Sequence, residues 1–168
     1  MRQNVLFGVM ATIALVVVGY YLWAWLDNDE SRSTDELTTA ALHEPTLDRR
    51  ESAAIELIDA GTDGTVALRR LAYESGDDQV RAAAMEGLGR SVDFESMDVL
   101  LAALDDDSAT VRGRAGVVVA RMLGRDRRFR ADAPEEERRR IAQLYRDDWT
   151  YLKDSPNFAE YTSRFNEP

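Results

Sequence analysis

The side chains that could do chemistry in this 168-residue chain are few, and they do not converge. There is one histidine, His43, and no cysteine, which removes thiol nucleophiles, disulfides and thiolate metal sites. The segment HEPTLD sets Glu44 and Asp48 near His43. It lacks the second imidazole that H-E-x-x-H places one helical turn further on to hold zinc, so His43 reads as a loop residue. Asp105, Asp106 and Asp107 are consecutive, and neighbouring carboxylates diverge. The alternating ligands and distal glutamate of a calcium loop are missing, so the run reads as a turn and helix cap. Serine, histidine and an acid are not grouped, and there is no glycine-rich phosphate loop. The expectation is a protein with no catalytic residue, no cofactor and no metal.

The cations offer more. Arg125, Arg127, Arg128 and Arg130, followed by Arg138, Arg139 and Arg140, form the strongest basic cluster in a chain of net charge −10. Such a cluster can hold an anionic lipid head or an acidic protein partner. The alternative is a solvated loop and helix face, balanced by Asp126, Asp132 and Glu135 to Glu137. A second set, Arg50, Arg81 and Arg112, is evenly spaced by 31 residues and forms a ladder. Beyond residue 26 there are 31 acidic and 20 basic residues, a net −11. That sign disfavours nucleic acid, whose binding relies on cations displacing phosphate counterions.

The elements that carry these arginines show the same period. Ala53, Ala84 and Ala115 repeat at 31 residues, and so do Leu57, Leu88 and Val119. Alanine three residues after the arginine, with an aliphatic residue four further on, lies on one inward helix face. Before the second and third of these helices stand the acidic turns SGDD (75–78) and DDDS (105–108), whose Asp or Ser can cap the following helix. Apolar helical stretches, VALRRLA (66–72) and MDVLLAAL (97–104), precede the turns. The repeating unit is therefore a helical hairpin. Its copies span about 34–60, 61–90 and 91–124, the first beginning at the capping-box pattern of Ser33 and Glu36 and its first helix stopping before Pro45.

LLAALDDDSATVRGRAGVVVARMLG at 100–124 resembles a HEAT repeat of the short PBS-lyase HEAT-like type. The signature is an apolar helix, an acidic turn, then V-R-x-x-A opening a second helix. It occurs as Val80-Arg81-Ala82-Ala83-Ala84 and as Val111-Arg112-Gly113-Arg114-Ala115, while the earlier copy has Arg49 in place of the valine. The resemblance implies a short α-solenoid of about three hairpins, in which each ladder arginine pairs with an acid of the adjacent turn or repeat. It implies a scaffold, and no lyase activity.

At either end the period is absent. Residues 125–168 read as an arginine-rich loop, a capping helix from Pro134 to about Leu152, and a tail whose Phe158, Tyr161 and Phe165 should dock on the stack. At the other end, after a short flank at 1–4, residues 5–26 carry no charge and include 11 Val, Leu, Ile or Phe residues. As a helix the stretch reaches roughly 33 Å, enough to cross a bilayer. Tyr20, Tyr21, Trp23 and Trp25 mark an interfacial end, and the acidic linker 27–33 follows. The bulky exit YYLWAWL does not suit signal cleavage. Arg2 and the amino terminus outweigh Arg32 after the span, which predicts a cytoplasmic N-terminus and an exoplasmic domain. The expected fold is thus all-α: one transmembrane helix, a short α-solenoid and a C-terminal capping helix. The expected function is a single-pass, membrane-tethered protein-binding module or scaffold. A permanent non-catalytic subunit or assembly factor of a larger membrane complex is the alternative.

Overall fold

The computed structural model describes residues 32–165. The expected span at 5–26, its flank and nearly all of the acidic linker lie outside the described residues. No helix among the described residues is long and apolar enough to cross a membrane.

All regular structure among the described residues is helical. The helices are α1 (Thr34–His43), α2 (Leu47–Glu56), α3 (Gly61–Glu74), α4 (Asp78–Arg90), α5 (Met97–Ala102), α6 (Ala109–Leu123), α7 (Glu135–Lys153) and α8 (Phe158–Ser163). Short 3₁₀ turns occupy 57–60, 94–96 and 103–105. Consecutive helices pair as α1 with α2, α3 with α4, and α5 with α6. Across the pairs, α2 packs on α4 and α4 on α6, so the second helices of the three hairpins follow one another directly. Helix α7 then lies against α5, α6 and the 103–105 turn.

The repeated columns explain that packing. Helices α2, α4 and α6 begin at Leu47, Asp78 and Ala109, so each ladder arginine falls at the same register, three residues in. Ala53, Ala84 and Ala115 are all wholly buried, as are Leu57, Leu88 and Val119. Alanine lets backbones approach closely, and the aliphatic residue four positions on fills the same face one turn later. Val80 and Val111 are buried too, whereas Arg49 at the equivalent place leaves 75% of its side chain exposed. The first hairpin also departs from the pattern at its end. Leu57 opens a 3₁₀ turn rather than continuing α2, and a Cβ on Gly64 would come within 2.0 Å of the Leu57 carbonyl oxygen. Only glycine permits that approach.

Turn chemistry sets the helix starts. Asp77 caps α4, its carboxylate accepting from the Gln79 N–H at 2.9 Å. At α6 the expected cap takes a different form. Ser108 occupies the cap position without a side-chain cap bond. Its hydroxyl donates to Asp78 at 2.7 Å, while its own N–H donates to Asp106 at 2.8 Å. Pro134 likewise sits at the cap of α7, with an extended ψ of 145°, one residue ahead of the first turn that its fixed φ would have suited.

Helix ends expose a weak point. Both α4 and α6 close with paired 6→1 and 5→2 backbone bonds: Asp93 N–H to Leu88 and Val92 N–H to Gly89, then Arg125 N–H to Ala120 and Gly124 N–H to Arg121. This closure requires one left-handed residue, usually glycine. Gly124 supplies it at φ 61°, but Val92 holds φ 46° with a β-branched side chain. The cost for an L-residue is roughly 1–2 kcal/mol. Val92→Gly is therefore expected to stabilise the protein by about 1 kcal/mol after the loss of the half-buried side chain. A lower urea midpoint for this variant would show that Val92 contributes more through packing than it loses through strain.

The C-terminal tail docks through aromatic rings. Phe94, in the turn before α5, meets Trp149, Phe158, Tyr161 and Phe165 at centroid distances of 6.3, 5.9, 6.0 and 5.6 Å. The Tyr161 hydroxyl also donates to the Met122 carbonyl at 2.8 Å, tying α8 to the end of α6.

Candidate functional site

The arginine ladder is geometrically uniform. One guanidinium nitrogen of Arg50, Arg81 and Arg112 donates to the carbonyl six residues back: Glu44 at 2.7 Å, Ser75 at 3.0 Å and Asp106 at 2.7 Å. The rest of each head reaches forward. Arg50 binds Asp77 at 2.7 Å, and Arg81 grips Asp106 with two bonds of 3.1 and 2.9 Å. Arg50 and Arg81 thus each tie their own turn to the turn of the next hairpin. Arg112 has no following hairpin, and its Nε and Nη2 both donate to the Ala131 carbonyl, at 3.1 and 2.8 Å. The 125–134 segment stands where a further acidic turn would stand. Every guanidinium nitrogen of Arg81 and Arg112 is hydrogen-bonded, and Arg50 is bonded at both terminal nitrogens with its Nε buried and unpartnered among the described residues, so the ladder presents no open anion site.

The carboxylates of the ladder are shifted accordingly. The hydrogen bond from Arg50 holds Asp77 below the ordinary carboxylate range against desolvation. Desolvation pushes Asp106 up, but the bonds from Arg81 and the Ser108 N–H outweigh it and the net shift is downward. Within the run 105–107, Asp105 pairs instead with Arg146 at 2.6 Å, so the consecutive carboxylates do diverge.

The basic cluster divides into three parts. Arg125 and Arg127 converge on Asp148, at 2.7 Å and 2.6 Å, a buried acid of α7 that is only 8% exposed. Their hydrogen bonds, Arg127 first, hold Asp148 below the ordinary range despite desolvation. This is where the structure departs most from local charge balance: the main counter-ion is neither Asp126 nor the Glu135–Glu137 run. Arg138 donates to the Ala133 carbonyl at 2.6 Å, Arg139 pairs with Glu135, and Arg140 projects from the exposed face of α7. Arg128 and Arg130 remain with Arg125 around a groove of about 660 Å³ against α6. Its floor is Gly113, Gly116, Val117, Ala120 and Phe129, and Arg121 stands on its rim. Phe129 reaches the floor because Gly116 has no side chain: a Cβ there would lie 2.7 Å from the ring. The loop is held by the Arg127 N–H, which donates to the buried Tyr145 hydroxyl at 3.0 Å, and by Asp126, which accepts from the Arg128 N–H at 2.7 Å.

Sequence patterning did not single out Val117 or Arg121. Their position is nevertheless readable from the helix period, since Thr110, Arg114, Val117 and Arg121 recur at i, i+4, i+7 and i+11 on the face of α6 away from the buried Ala115 and Val119. A second, smaller groove of about 180 Å³ crosses α2, α4 and α6 through Ile55, Ala83, Glu86 and Arg114. Charge is unevenly distributed along the chain. Residues 34–111 hold 18 acidic and 6 basic residues, net −12, whereas 112–168 hold 10 acidic and 13 basic, net +3.

Three carboxylates with depressed pKa values make stability fall in acid. Asp77, Asp106 and Asp148 contribute fully above the unfolded carboxylate pKa of about 3.9, and that contribution is lost as pH drops through their lower folded values. The urea midpoint is expected to be level from about pH 7 to 5 and to decline steeply below about pH 4. Asp148→Asn should lower the midpoint at neutral pH and flatten the acid decline. An unaltered acid slope in that variant would remove Asp148 from the account.

Among the described residues no cluster of His, Asp and Glu could hold a metal ion. Compared with family models, with proteins of known function and with solved structures, the chain matches none.

Proposed function

We propose that this chain is a membrane-tethered protein-interaction module, a short α-solenoid of HEAT-like hairpins held at a bilayer by residues 5–26. The observation that carries the reading is the ladder. Three arginines stand in one register, two of them link successive hairpins, and the 125–134 segment satisfies the third where a fourth hairpin would begin. Stacked hairpins of this kind bury one another's inward faces and leave an extended outer face for binding. Here that face includes the exposed Ile55 of α2 and Val117 of α6, along which two grooves lie. The uncharged stretch at 5–26 supports the tether, and the tether confines the face to partners at the same membrane, raising their effective concentration. The expected orientation puts the domain on the exoplasmic side, the periplasm in a bacterium.

Gentle detergent extraction of native membranes followed by affinity isolation of the full chain tests this reading. A partner in sub-stoichiometric amount, lost on dilution, is the expected result. A stable complex of fixed stoichiometry would favour a permanent subunit or assembly factor instead. Isolation of the chain alone, under both cross-linked and native conditions, would contradict both.

A further inference from the structure

We propose that the groove between α6 and the 125–130 loop binds an acidic segment of a partner protein, one that carries an aliphatic or aromatic side chain between its carboxylates. The inference rests on the interaction-module reading and names the site and the partner's chemistry.

Two observations carry it. The first is unspent charge. Arg125 and Arg127 share the single carboxylate of Asp148 and Arg130 lies 3.5 Å from Asp132, while among the described residues the heads of Arg121, which lies against Gly89 of α4, and of Arg128 make no hydrogen bond or ion pair. Both line the groove or its rim, in a protein that is acidic as a whole. The second is the apolar floor of the same groove. Val117 is 61% exposed on the helix face, beside Gly113, Ala120 and the Phe129 ring that covers Gly116, and together these make an apolar seat for a partner side chain. Cations flanking an apolar seat favour a ligand with carboxylates flanking an apolar group.

Charge also selects a protein segment over a bilayer surface. Residues 34–168 hold 28 acidic and 19 basic residues, a net −9. A flat anionic membrane laid across α2 and α4 as well as the groove would meet the acidity of residues 34–111, net −12, whereas a single segment meets only the groove.

The test uses the full chain in non-ionic detergent and a fluorescein-labelled peptide of glutamates around a central leucine pair, with a serine-for-leucine peptide as control. Fluorescence anisotropy should show binding of the leucine peptide that weakens with added salt. Binding should fall by about tenfold or more in Arg121→Glu/Arg128→Glu. The milder Arg121→Gln/Arg128→Gln and Val117→Asp variants should each weaken it as well, at melting temperatures matching the parent. Equal affinity of parent and charge-reversed chain, no binding by either, or equal binding of both peptides would overturn the proposal. So would phosphatidylglycerol vesicles that bind through the same arginines in preference to the peptide, or self-association that the charge reversal abolishes. A native partner that still co-isolates with the charge-reversed chain would remove this groove and leave the interaction-module reading intact.

Discussion

Asp106→Ala is expected to lower the unfolding free energy by about 3 kcal/mol, while Asp105→Ala and Asp107→Ala each cost less than about 1 kcal/mol. The three residues are neighbours, identical in type, and differ only in what they meet. Asp106 and Arg81 are 18% and 16% exposed at their side chains and share two hydrogen bonds. Removing the carboxylate leaves a mostly buried guanidinium without its counter-charge and also frees the Ser108 N–H at the start of α6. Asp105 pairs with Arg146 at an exposed site, where solvent screening reduces the loss. Asp107 contributes its backbone carbonyl to Arg112, an interaction that alanine retains. Urea denaturation of the three variants checks the ranking. Equal losses at the three positions would mean that the ladder does not couple the second hairpin to the third. A double-mutant cycle with Arg81→Met isolates the pair, and its coupling should account for most of the Asp106 effect.

The second large effect is expected at the centre of the alanine column. Ala84 is wholly buried on α4, the helix that packs on both α2 and α6. Ala84→Leu inserts three carbons where the backbones are closest, and the helices must separate or the leucine must leave its preferred rotamer. Overpacking of this kind costs about 3 kcal/mol. Ala83→Leu, one residue along on a half-buried face, should cost far less. Comparable effects at 83 and 84 would mean that the column does not mark the helix interface.

What the sequence conveyed, and what it could not, follows from the range of the signals. Arg50, Arg81 and Arg112 and their alanine and aliphatic companions announce themselves by period, and period reports which helix face turns inward. The hairpin helices and the acidic turns were legible for that reason. The cap at Ser108 was misjudged because its hydroxyl bonds Asp78, 30 residues earlier, a contact that local turn chemistry cannot display. Asp148 was missed as the counter-ion of Arg125 and Arg127 because it lies 21 to 23 residues downstream in a segment with no repeat. Phe94 carried no signal either. It stands alone in its turn, and only the folding back of α7 and α8 gathers four rings around it. Val92 offered a weak clue, since a residue one past a helix end ordinarily needs glycine, but the end of α4 had first to be placed to within one residue. The groove was half legible: its arginines stood out, whereas its apolar floor emerged only once α6 had a buried face and therefore an exposed one.

The most direct test of the central claim is a photo-crosslinking scan in native membranes, with the full chain carrying a photoreactive residue at one position at a time. Ile55, Glu86 and Val117 sample the outer face of α2, α4 and α6; Val66 and Tyr73 on α3 sample a different helix surface as controls. The same protein adduct is expected from two or more of the first three positions, and from neither control. Adducts distributed equally over both sets, or none from α2, α4 and α6, would contradict the claim that this chain works by presenting that face to a membrane-bound partner.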